Sequence, residues 1–113
     1  MSSPTQRSKA LLLKRGYLVA ITERWNPFAH IRQDMYGFID LLAISGNETL
    51  AIQTTSIGNI SARIKKIRET QAAALWLESP TRKIIVHGWG KRGPRGKRKL
   101  WECKETEITV EML

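Results

Sequence analysis

The sequence predicts an α/β domain: a central mixed β-sheet flanked by helices, in the order helix, strand, strand, strand, helix, strand. Three observations carry that expectation. Two apolar strand-like runs meet at Gly46-Asn47, Ile60, Ile64 and Ile67 recur at helical spacing, and Ile84-Ile85-Val86 forms a β-branched run after Ser79-Pro80 has stopped that helix. At 113 residues the chain has room for one compact domain with its own core, residues 1–113, and not for two.

Ser3 ahead of Pro4 reads as an N-cap and a first helical residue, and Ala10 to Leu13 give this first helix a broad apolar face ending near Gly16. Tyr17 to Trp25 alternates as a first strand would, and a loop containing Asn26-Pro27 follows. Gly37 to Ser56 supplies the next two strands as a hairpin. If Gly46 and Asn47 form a two-residue loop, Ser45 faces Glu48 and the ladder sets Asp40 opposite Gln53. Alternation then places Thr55 on their face. Opposed side chains sit roughly 5 Å apart, so a carboxylate, an amide oxygen and a hydroxyl converge on one patch, as in a metal site.

Ile57-Gly58-Asn59 offers a turn and a cap for a second helix, which runs through Leu77 with or without a break near Thr70. Lys83 to Trp89 forms a fourth strand and Leu100 to Cys103 opens a fifth, while Ile108 to Leu113 shows no clear pattern.

A net charge of +9 on so small a chain points to a polyanionic partner, nucleic acid first. Six of the nine residues from Lys91 to Lys99 are basic and the rest are glycine or proline, so this loop cannot pack and is read as an arm for phosphates. No apolar run approaches the roughly 20 residues of a membrane span, and no secretory leader pattern is visible. With a lone Cys103 and no zinc spacing, the expectation is a soluble cytoplasmic protein without a membrane partner.

Asp40 lies among Phe38, Ile39, Leu41 and Leu42, where a carboxylate costs several kcal/mol unless a cation or hydrogen-bond donors meet it. An ion is one answer and a salt bridge to Arg63 the other. Asp34 either joins Asp40 as a ligand or braces its own loop, and Glu23 either completes that site or, beside Arg24, forms a surface ion pair. His30 and His87 have no partner at ligand spacing, and His87 reads as a packed strand histidine. Trp89, next to the basic loop, is the tryptophan placed to stack on a base. Neither a Walker A loop nor a Ser, His and Asp arrangement is visible.

The element order, with Asp40-Leu41-Leu42-Ala43 in one strand and Gln53-Thr54-Thr55 in the next, resembles the PD-(D/E)XK restriction-endonuclease-like nuclease superfamily. The small Holliday-junction-resolvase-like and phage-type members are the most similar, and the likeness covers roughly residues 7 to 90. It implies a Mg²⁺- or Mn²⁺-dependent DNA endonuclease of branched, phage or mobile-element DNA, with the ion held by Asp40, Gln53 and Asp34. Two departures accompany it. The lysine that such enzymes carry two residues after the second ligand is Thr55 here, so Thr55 would hydrogen-bond water or phosphate and Lys65 or Lys66 would replace the lysine. Helix one also lacks the glutamate that resolvase-like members often carry. Arg63, Lys91, Arg92, Arg95, Lys97, Arg98 and Lys99 would hold the DNA backbone. Such enzymes commonly act as two-fold dimers. The same residues also suit a nuclease fold that binds nucleic acid without cleaving it, or a subunit of a larger nuclease complex.

Overall fold

The computed structural model describes residues 3–113 and shows the expected class, a five-stranded mixed sheet with helices on both faces. Helix α1 (Pro4–Lys14) begins as its sequence directs, with Ser3 Oγ accepting the Gln6 amide at 3.2 Å, and ends before Gly16 at φ +94°. Strand β1 (Leu18–Ile21) pairs antiparallel with β4 (Leu41–Ile44), and β4 with β5 (Thr49–Ser56). Strand β5 runs parallel to β6 (Arg82–Arg92), which pairs antiparallel with β7 (Leu100–Ile108), giving the order β1-β4-β5-β6-β7.

The parallel β5–β6 step needs a crossover, supplied by α2 (Ile60–Arg68) and α3 (Gln71–Trp76). Their break falls at Glu69-Thr70, where the Thr70 hydroxyl bonds the Lys66 carbonyl. The expected cap at Asn59 is absent: its amide bonds Ser56 Oγ, and a short 3₁₀ turn over Ile57–Asn59 leads into α2 instead. As the central strand, β5 is buried on both faces from Leu50 to Thr55. Leu12 of α1 packs against Leu41, Ala43, Leu50 and Ile52 on one face; Ile60, Ile67 and Ala73 pack with Phe38, Ala51, Ile84 and Val86 on the other. Among the described residues no helix is long and apolar enough to cross a membrane.

The expected first strand is cut short. Thr22 and Glu23 turn their amides onto the Asp40 carbonyl, and Arg24–Asn26 leaves the sheet as β2, pairing with β3 (Ile31–Gln33) in a separate hairpin where a loop was expected. The Gly46-Asn47 loop does set Ser45 against Glu48 (N to O 2.9 Å), with neither loop residue at left-handed φ. The Ser45 hydroxyl stands in for the mirror-image turn by accepting the Glu48 amide at 3.3 Å.

Helix α2 crosses β6 where β6 has no side chain. A Cβ on Gly88 would lie 2.6 Å from Ile60 Cγ1 and 3.1 Å from the Ile57 backbone. Gly88→Ala is therefore expected to lower stability by about 1–3 kcal/mol, read as a fall in the urea midpoint at unchanged slope.

Candidate metal centre

The β4–β5 register, Leu41 with Ile52, extends one step further to Asp40 and Gln53, as the Asp40 amide bonds the Ile52 carbonyl at 2.9 Å. Both side chains are almost fully buried. Asp40 Oδ2 accepts from Gln53 Nε2 at 2.5 Å, from the Thr54 amide at 2.8 Å and from the Thr54 hydroxyl at 3.2 Å. The alternative of a buried salt bridge to Arg63 does not form, although Arg63 lines the same cavity as Asp40.

The β2–β3 hairpin completes the group. Glu23 immediately precedes it and Asp34 immediately follows it, so closing the hairpin brings both carboxylates to Asp40, with one oxygen of each of the three within 4.8 Å of the others. Glu23 does not pair with Arg24: it accepts from Thr5 Oγ1 of α1 at 3.2 Å and lies 3.8 Å from Arg32. Asp34 Oδ2 accepts from Lys66 Nζ at 2.6 Å and from Gln53 Nε2 at 3.3 Å. Thr5 bonds Thr54 at 2.9 Å, tying helix to sheet beneath the site. The cavity, of about 390 Å³, is also lined by Thr55, Ser56, Arg32, Arg63 and Lys66.

Three carboxylates this close cannot all remain charged without a cation. Burial, and then the hydrogen bond and charge of Asp34, push the Asp40 carboxyl up to about 8. Burial pushes Asp34 up as well, but hydrogen bonds from Asp40 and Lys66 outweigh it and hold Asp34 below its ordinary value. Gln53 Oε1 is buried without a partner among the described residues, because its Nε2 faces the two aspartates. Turned over, the same amide would present its oxygen, in place of Nε2, beside the two aspartates. A hard divalent cation fits this donor set: it would take carboxylate and amide oxygens, displace the Asp40 proton and use the orphaned oxygen.

Comparison with protein-family models, with curated proteins and with solved structures finds no match.

Lys66 reaches the site, whereas Lys65 is exposed beside Arg68, Glu69 and Leu113 and does not line the cavity. Thr55 lines it, yet the hydroxyl that bonds Asp40 is that of Thr54. Lys91, Arg92, Arg95, Lys97, Arg98 and Lys99 are all exposed, at and beyond the tip of the β6–β7 hairpin. Next to the tip of that hairpin, where Lys91 pairs with Trp101, Arg7 of α1 stacks 3.8 Å over the Trp101 ring with Lys91 at 5.4 Å. The Trp89 indole N–H donates to Ser8 Oγ of α1 at 2.8 Å. Ser8 Oγ also lies 2.9 Å from His87 Nδ1, and His87 Nε2 lies 3.1 Å from Glu105. This Ser-His-Glu line, unseen in the sequence, has both Ser8 and His87 fully buried, out of reach of any substrate; it fastens α1 to β6 and β7.

Missed from sequence were Thr5 and Thr54 as supports of the group. Arg24-Trp25-Asn26 and Ile31-Arg32-Gln33, on either side of a turn containing proline, held a hairpin signal that would have brought Glu23 and Asp34 together.

The titrations predict a pH response of the metal-free protein. Asp40, raised from 3.8 to about 8, favours folding when protonated, so its contribution is lost as pH rises through about 8. His87, which burial holds below 6.5, acts oppositely: its contribution is lost as pH falls below 6.5. Between pH 6.5 and 8 only the Asp40 effect of these two remains. In chelator, Tm should fall across that window in the wild type and stay flat in Asp40→Asn, as followed by scanning calorimetry.

Proposed function

We propose that the protein is a divalent-metal-dependent DNA endonuclease of the PD-(D/E)XK type. The observation that carries this reading is the convergence of Glu23, Asp34, Asp40 and the Gln53 side-chain amide in one cavity lined also by Arg32, Arg63 and Lys66. Acidic ligands enclosed by basic side chains suit a cation together with a phosphodiester. A bound Mg²⁺ or Mn²⁺ would polarise the phosphate and lower the pKa of water for in-line hydrolysis. Asp40, Asp34, Glu23 and Gln53 would hold it.

The chain's own groups account for the rest. Thr54, through its amide and hydroxyl, fixes the rotamer of Asp40, and Thr5 orients Glu23. Arg32 and Arg63 hold the DNA backbone at the mouth, and the exposed loop from Lys91 to Lys99 adds sequence-independent affinity. Lys66 occupies the role of the lysine missing at Thr55: its ammonium, 2.6 Å from Asp34, donates to the attacking water or to a non-bridging phosphate oxygen. Thr55 offers a hydroxyl to the same space.

A binding module without cleavage is the second reading, favoured by the engagement of Lys66 with Asp34. Incubation with supercoiled and branched DNA separates the two. The nuclease reading expects nicking or cleavage in Mg²⁺ or Mn²⁺ and none in chelator; tight, salt-sensitive binding without cleavage in either ion supports the second.

A further inference from the structure

We infer that the β2–β3 hairpin is an aromatic wedge that selects DNA with unpaired or unstacked bases beside the phosphodiester at the metal centre; this rests on the nuclease reading above. The hairpin springs directly from the site, since Glu23 and Asp34 are the residues on either side of its two strands. Its position relative to a bound phosphate is thereby fixed. Three-residue strands and a short turn carry its tip roughly 10 Å from the carboxylates, about three base steps along a duplex.

The tip is apolar, exposed and braced. Phe28 is 95% exposed, and Trp25 and Ile31 are about half exposed. Asn26 Oδ1 accepts the amides of Phe28 and Ala29 at 3.0 and 3.1 Å, His30 takes a left-handed φ of +55°, and the Trp25 and His30 rings meet edge to face at 6.2 Å. A ring held out to solvent on an ordered turn is prepared for a flat apolar partner, with little entropy left to lose. Charge decides which partner. Arg24 and Arg32, both exposed, flank Trp25 on the paired strands, and the chain as a whole carries +9. Arginines beside an aromatic tip suit phosphates beside bases: the cations fix the backbone while the ring stacks on a base or enters an opened step.

Intact duplex gives Phe28 no base face without the cost of unstacking. A bulge, flap or branch has already met that cost. The wedge thus converts a distortion of the DNA into preference at a site whose carboxylates read only the backbone.

The test compares equilibrium binding of wild-type protein and Phe28→Ala to a perfect duplex and to the same duplex carrying a two-nucleotide bulge, by fluorescence anisotropy in chelator. No cleavage is needed, so the result stands apart from that of the cleavage assay. Phe28→Ala should weaken binding to the bulged DNA by about tenfold, the loss of one base–aromatic stack, and leave duplex binding unchanged. Arg24→Gln should weaken both. Equal affinity of Phe28→Ala and wild type for the bulged DNA would overturn the wedge, as would equal losses on both DNAs. So would a change in sedimentation behaviour in place of DNA affinity, which would make the tip a contact between copies of the chain. Because Phe28 is almost wholly exposed, its removal leaves the fold in place, and an unchanged Tm verifies this.

Discussion

Asp40→Asn should abolish metal-dependent cleavage, by about a hundredfold or more, while leaving the protein at least as stable as the wild type at pH 8. The two halves of that result have one cause. Asn retains an oxygen for the Thr54 amide that now reaches Asp40 at 2.8 Å, so the local ladder survives. It removes a carboxyl that burial and the neighbouring Asp34 make costly to ionise, and with it the charge that attracts an ion. Loss of a metal's charged ligand removes several kcal/mol of transition-state stabilisation, and relief of buried like charge acts on the ground state alone. A merely structural Asp40 would show the reverse pattern, lost stability at retained activity. Initial cleavage rates at saturating Mn²⁺, with thermal melts of both proteins in chelator, read the two effects separately.

Lys66→Ala should lower kcat by about a hundredfold, the scale of losing one positioned donor at a developing charge. Lys65→Ala should remain close to wild type. The contrast is sharp because the residues are adjacent, equally charged and on the same helix, so net charge and helix propensity change alike. Only Lys66 lines the cavity and reaches Asp34, through the bond at 2.6 Å. Single-turnover rates at saturating DNA separate this effect from weakened binding. Equal losses in both variants would reduce Lys66 to one backbone contact among several.

The pairing of Asp40 with Gln53 was legible in the sequence because a two-residue loop fixes register by counting, and a single slip would have turned Leu41 and Ala43 away from Leu12. The helices followed from Ser3-Pro4 with the apolar face of Ala10 to Leu13, and from the isoleucine spacing with the stop at Ser79-Pro80. What escaped was set by tertiary closure. Nothing periodic in Tyr17–Trp25 says that the strand ends at Ile21; it ends because the Thr22 and Glu23 amides turn onto the Asp40 carbonyl, a residue distant in sequence. Strands β2 and β3 are three residues each, too short for alternation to stand out, yet they decide that Glu23 and Asp34 meet. The choice between Lys65 and Lys66 depended on the phase of α2 over the sheet. That phase is set by Ile60 seated on Gly88, a contact no local pattern encodes.

Titration of the metal-free protein with Mn²⁺ at pH 8, followed by electron paramagnetic resonance, bears most directly on the metal centre. A single saturable site that is lost in Asp40→Asn and weakened in Gln53→Leu is the expected result. Binding of wild-type strength in Asp40→Asn, or no binding by the wild type at millimolar Mn²⁺, would contradict it.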